Sequence, residues 1–249
     1  MIHWLHDWWR NRHGGPIVID DTQWEAAESP LACLDRLGAD ERQRLRELAT
    51  AFIAAKEWSA ASGLQLTPAI QLSIALQACL PILNLGLEWY DGWVGIIVYP
   101  GDFVIPRQIV DETGVVHEFD DHVLGEAWEG GPVLLSWFAD PDEIGAISLI
   151  IHEFAHKLDM RNGVVDGMPP LHADMSVNEW IAAFAPAYAD HCQRVDAGEE
   201  TAIDAYAEEH PAEFFAVASE VFFEAPDLLR AEYPEVYAQL CRFYRQTPL

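Results

Sequence analysis

The chain has 249 residues, long enough to bury a sizeable core, and a globular composition with 51% hydrophobic and 22% charged residues. Its formal net charge of −27 argues against nucleic acid and against anionic membrane surfaces as partners, because both repel an acidic protein. Cys33, Cys79, Cys192 and Cys241 are far apart and form no C-x-x-C pair, so they read as packing residues in a reducing compartment.

Residues 1–90 read as helical. Met1–Arg12 carries Trp4, Trp8 and Trp9 among charges without an apolar run, so no secretory signal is visible there, and the segment reads as packing onto the domain in preference to an amphipathic helix touching a membrane or partner. Asp40–Ala60 places Leu45, Leu48, Ala49, Phe52 and Ile53 at helical spacing, and Thr67–Leu80 is a second helix with Pro68 at its start. The most apolar run, Ile74 to Leu87, is broken by Gln77, Pro81 and Asn84 and is too short for a bilayer. A soluble, cytoplasmic protein is expected.

From Trp89 to Trp137 the pattern changes. Val94–Tyr99, Phe103–Ile105, Val115–Phe119 and Val133–Trp137 look like short strands, separated by turns at Pro100-Gly101, Glu112-Thr113-Gly114 and Gly130-Gly131-Pro132. Helical pattern returns from Asp140: a long apolar helix, then Asn178–Val195, Ala202–Glu209, Pro211–Phe223 and Pro234–Gln246. Helices, a small sheet, then helices again make an α+β fold. No repeat, low-complexity tract or linker divides the chain. A single domain over residues 1–249 is expected, helical over 1–90, with the sheet and metal site in 91–249.

The long helix carries the chemistry. Asp140, Pro141 and Glu143 supply an N-cap, a first-turn proline and a capping-box acid, and Arg161-Asn162-Gly163 supplies the cationic end and terminal glycine. Within it lies His152-Glu153-Phe154-Ala155-His156, an H-E-x-x-H. Positions i and i+4 share one helix face, so both imidazoles reach one tetrahedral Zn²⁺, and the intervening Glu153 can take a proton from the water it activates.

A catalytic zinc usually has three protein ligands and an open position. Downstream candidates are Asp159, Asp166, His172, Asp174, His191, Glu208, Glu209, His210, Glu213 and Glu220. Asp159 shares the histidine face, but one straight helix rarely offers three successive turns to one ion; it reads as a group orienting a ligand imidazole or as a helix-end acid. The helix Pro211–Phe223 is apolar almost all round, hence buried, and carries Glu213 and Glu220 two turns apart. A buried carboxylate needs a partner. Glu213 is the preferred third ligand, with Glu220 the alternative or a supporting acid.

Ile151–Met160 (IHEFAHKLDM), Ile203–Ala207 (IDAYA), His210–Glu220 (HPAEFFAVASE), Trp89–Trp93 (WYDGW) and Gly131–Trp137 (GPVLLSW) together resemble the Mlc titration factor A family of bacterial zinc metallopeptidases. The likeness runs from about residue 40 to the C-terminus. It implies a zincin-type fold with His152, His156 and Glu213 as zinc ligands, Glu153 as general base and Tyr206 as the catalytic tyrosine. It also implies weak aminopeptidase activity on peptide substrates and association with a Mlc-like transcriptional repressor. One departure from the thermolysin-like pattern is Val217, where an Asp would stand four residues after the third ligand.

With these parts a peptidase is expected in which Glu153 moves a proton from water to the leaving amine and, as the resemblance implies, Tyr206 donates to the oxyanion; read without the resemblance, Tyr206 is a packing residue with a wet hydroxyl. The strand Val133–Trp137 either offers an extended substrate its free edge or is covered. The rival reading is a binding protein that sequesters a repressor, with vestigial peptidase activity. A structural zinc protein fits less well, since such sites close all four positions with Cys and His.

Overall fold

A computed structural model describes residues 19–110, 116–138 and 148–249. The N-terminal segment Met1–Arg12, the turn at Glu112–Gly114 and the helix start at Asp140–Glu143 lie outside the described residues. Helix α1 (Asp21–Glu28) is capped by Asp20, whose Oδ1 accepts from the Gln23 N–H at 2.8 Å. Helix α2 (Ala39–Ala55) buries Leu45, Ala49, Phe52 and Ile53 along one stripe.

The helix expected over Asp40–Ala60 ends early. Lys56 leaves the helical conformation (φ −103, ψ 151) and donates to the carbonyls of Tyr90 and Trp93 at 2.7 and 2.8 Å. The next four residues form strand β1 (Glu57–Ala60), which pairs in parallel with β2 (Gly95–Tyr99). Tertiary pairing overrides helical periodicity here, so the sheet reaches back into the first 90 residues. Helix α3 (Pro68–Cys79) sits between β1 and β2 in sequence and is almost wholly buried.

Strands β3 (Phe103–Val110) and β4 (Val116–Val123) form a separate antiparallel ribbon, longer than the sequence pattern indicated. Strands β5 (Gly125–Ala127) and β6 (Val133–Ser136) complete the main sheet in the order β1-β2-β6-β5. β6 runs parallel to β2 and antiparallel to β5. β6 is therefore interior, and the covered alternative for Val133–Trp137 holds. The edge of the sheet on this side is β5.

Helix α4 (Ser148–Asp159) packs on this sheet edge and against α6 (Pro211–Glu224). Phe154 anchors it, its ring lying 5.6, 5.2 and 5.8 Å from those of Phe52, Tyr90 and Trp93. Between them, α5 (Val177–Asp196) follows the loop from α4, and Ala202–Glu209 contributes only a 3₁₀ turn over Ala205–Glu208. Asp204 shapes that turn by accepting from the Tyr206 N–H at 2.9 Å, which spends its side chain on a cap rather than a helix. Helices α7 (Pro226–Glu232) and α8 (Pro234–Tyr244) close the chain, each opened by a proline. Buried residues from Trp24 to Tyr244 form one contiguous apolar cluster. Among the described residues no helix is long and apolar enough to cross a membrane.

Candidate metal centre

The helical spacing of His152 and His156 puts both rings on one face of α4, with centroids 4.7 Å apart. Pro211 opens α6, with His210 Nδ1 accepting from the Ala212 N–H, and the first turn of that helix carries Glu213 to the same point. His152 Nε2 lies 3.0 Å and His156 Nε2 3.2 Å from Glu213 Oε2, and the two imidazole nitrogens are 3.1 Å apart. Three lone-pair donors thus converge on one small volume, the arrangement of a group able to hold a metal ion. Tetrahedral zinc with bonds of about 2.0–2.1 Å separates its ligands by roughly 3.3–3.4 Å, so the triangle fits after a shift of a few tenths of an ångström.

The surroundings prepare the triangle for a cation. His152 Nδ1 is 2.6 Å from Glu220 Oε1, which as an acceptor holds a proton on Nδ1 and leaves Nε2 as the ring atom facing Glu213 and His156. Burial alone would lower the His152 pKa, but the hydrogen bonds its ring donates to Glu213 and Glu220 outweigh it and raise it to about 10. A metal ion bound here would displace the proton on the ligating nitrogen. Burial works against the charge of Glu213, yet its bonds to both histidines win and hold its pKa well below the usual carboxylate range. Glu220 moves the other way: burial raises its pKa against the pull of His152.

Glu153 sits beside the triangle at 4% exposure, with Oε2 buried and no hydrogen-bond partner for it among the described residues. Burial, opposed by His152 and reinforced by Glu213 and Glu126, pushes its pKa up to about 8. A carboxyl poised near neutrality can both take and return a proton at working pH. Edge strand β5 lies directly against it: a Cβ on Gly125 would stand 2.5 Å from Glu153 Oε1. Gly125 was not singled out from sequence, because a lone glycine in a short strand has many readings.

Tyr206 stands across the site, its ring 6.1 Å from that of His152 and 48% exposed. Partial burial and then Glu213 and Glu209 raise its pKa, so the hydroxyl remains a donor at neutral pH. Asp159 is fully buried and turned to the loop, accepting from the Gly167 N–H at 2.9 Å. It is not in the triangle. Lys157, the residue after His156, was also missed: its Nζ donates to the carbonyls of Trp128 and Gly131 at 2.7 and 3.1 Å, tying the β5–β6 turn to α4.

A His–His–Glu cluster able to hold a metal ion, beside a buried carboxyl, points to a metal-dependent enzyme, and the comparisons agree. The model of the family described as glucose-regulated metallo-peptidase M90 matches residues 5–245, and the chain belongs to that metallopeptidase family. It is also 40% identical over 255 aligned residues to "Mlc titration factor A" of Yersinia pestis (strain Pestoides F) and of Yersinia pseudotuberculosis serotype O:1b (strain IP 31758). The alignments cover 100% of this chain and 92% of each relative. Members of this class use a metal cofactor.

Proposed function

We propose that this protein is a zinc-dependent, aminopeptidase-like enzyme that hydrolyses peptide bonds, with His152, His156 and Glu213 as ligands, Glu153 as general base and Tyr206 as oxyanion donor. The observation that supports it best is the convergence of the three ligand atoms within 3.2 Å of one another alongside a buried carboxyl. When bound, zinc supplies Lewis acidity, which makes water a competent nucleophile near neutral pH. Glu153 takes the proton of the attacking water and passes it to the departing amine. Tyr206 donates to the oxygen on which negative charge develops. Glu220 keeps His152 in the ligating tautomer, and β5 offers an extended substrate a backbone edge beside Glu153.

Glu153→Gln tests this reading because it preserves shape and removes the base. The variant should keep about one zinc per chain by metal analysis while losing nearly all hydrolysis of aminoacyl and peptide substrates. Activity within a few-fold of wild type would remove Glu153 from that role. A second function is favoured by the name of the relatives: association with a Mlc-like transcriptional repressor in the cytoplasm, without contact to DNA by this acidic chain. Such binding is a surface property and survives Glu153→Gln in a pull-down. A wild type that holds the repressor yet cuts nothing in a broad panel makes the protein a sequestering factor.

A further inference from the structure

The block Trp89–Trp93, singled out in the sequence, takes no part in the metal cage. Its residues Tyr90 to Trp93 wall a separate cavity of about 570 Å³ between the end of α2 and the β5–β6 turn, within the range of small-molecule sites. None of its lining residues belongs to the metal cluster. Its floor carries Lys56, a residue only 6% exposed, whose hydrogen-bond partners are the Tyr90 and Trp93 carbonyls, dipoles rather than a counter-ion. The ammonium stands 3.5 Å from the centroid of the Trp93 ring, and the Lys157 ammonium stands 4.6 Å from that same ring. Two cations thus share one indole.

Two features go unexplained by packing. Trp93 lines the cavity, is 7% exposed, and its Nε1–H is buried with no hydrogen-bond partner among the described residues. An orphaned buried donor costs stability unless something accepts from it. Burial first, then the charge of Lys157, lowers the Lys56 pKa to about 8 against the opposing pull of Asp91. That is the response of a buried ammonium whose desolvation outweighs the pull of the nearby acid. The charged residues lining the cavity are Lys56, buried, and Asp91, exposed. The remaining wall is glycine and apolar surface, including Leu87, Val94 and Pro132.

We propose that this cavity is a binding site for a free amino acid, its carboxylate held by Lys56 and the Trp93 Nε1–H and its ammonium by Asp91. Opposite charges at floor and rim match a zwitterion better than a plain anion, which Asp91 would repel. The apolar wall takes an aliphatic side chain. The proposal is independent of the metal reading, because no residue lining the cavity is among the proposed metal ligands.

Isothermal titration of protein stripped with phenanthroline and dialysed provides the test, with L-leucine, 4-methylpentanoate, 3-methylbutylamine and inorganic phosphate as probes. L-leucine should bind, and the probes lacking either charged group should bind more weakly. Trp93→Phe keeps the ring and the cation contacts but removes the donor, and should weaken L-leucine by about tenfold, the scale of one hydrogen bond to a charged group. Asp91→Asn, at an exposed position, should weaken L-leucine while sparing 4-methylpentanoate. Because Lys56→Gln could compromise folding, these two variants carry the test. Failure of wild type to bind L-leucine at millimolar concentration overturns the proposal, as does tighter binding of phosphate, or unchanged affinity in Trp93→Phe.

Discussion

Gly125 is a residue whose change should slow catalysis without altering a proposed metal ligand or a reacting group. In Gly125→Ala the new methyl would lie 2.5, 2.7 and 2.8 Å from Oε1, Cγ and Cδ of Glu153. Ordinary contacts stand at about 3.5 Å, so roughly 1 Å of displacement must be found. Glu153 is only 4% exposed, which limits how far its side chain can swing away. Strand β5 is an edge, but it is paired with β6 at Gly125–Leu135, and Lys157 clamps the turn beyond it. The Glu153 carboxyl and the strand must share the shift. A misplacement near 1 Å costs about 10²-fold in rate, and the overpacking costs about 1–3 kcal/mol of stability, a few degrees in Tm for a chain of this size. Gly125 does not have a positive φ, so backbone strain adds nothing and the effect is steric. Steady-state kinetics on a chromogenic aminoacyl substrate, paired with metal analysis, gives the measurement. Full zinc content with kcat/KM within threefold of wild type would show that β5 does not confine Glu153.

Glu220→Gln replaces the acceptor on His152 Nδ1 and should weaken metal affinity 10–100-fold; competition with a calibrated chelator reads this, and unchanged affinity refutes the orienting role. Tyr206→Phe should lower kcat by about 10²-fold with a smaller change in KM and normal zinc content; unchanged kinetics would leave Tyr206 a surface residue. Lys56 has a pKa of about 8 in the folded protein against 10.5 when unperturbed. Between those values the unfolded chain holds more protons, so raising the pH stabilises wild type relative to Lys56→Met, by at most about 1.4 kcal/mol per pH unit. Below pH 8 the difference should be flat, and denaturant melts that show no rise between pH 8 and 10 would refute the burial argument. Chelation should lower Tm in proportion to the logarithm of free metal removed, and a Tm indifferent to chelator would mean the cage holds no ion.

The sequence by itself determined what depends on local spacing. His152, Glu153 and His156 share a helix face because i and i+4 must, and the apolar sides of Pro211–Phe223 announced a buried helix before any contact was known. Where Glu213 meets them is a long-range fact: spacing marked it as a candidate, and only the packing of α6 on α4 brings Oε2 within 3.2 Å of both imidazoles. The same packing separates two acids of one helix, giving Glu213 to the cage and Glu220 to His152 Nδ1. Strand β1 was hidden because Asp40–Ala55 is truly helical and the exit at Lys56 is set by carbonyls 34 and 37 residues away. The identity of the edge strand was hidden for a similar reason. A three-residue strand such as Gly125–Ala127 has almost no periodic signal, and its place beside Glu153 exists only once β6 is paired on both sides. Local propensity writes helices and motifs into the chain, while pairing and burial between distant segments decide which side chains share a site.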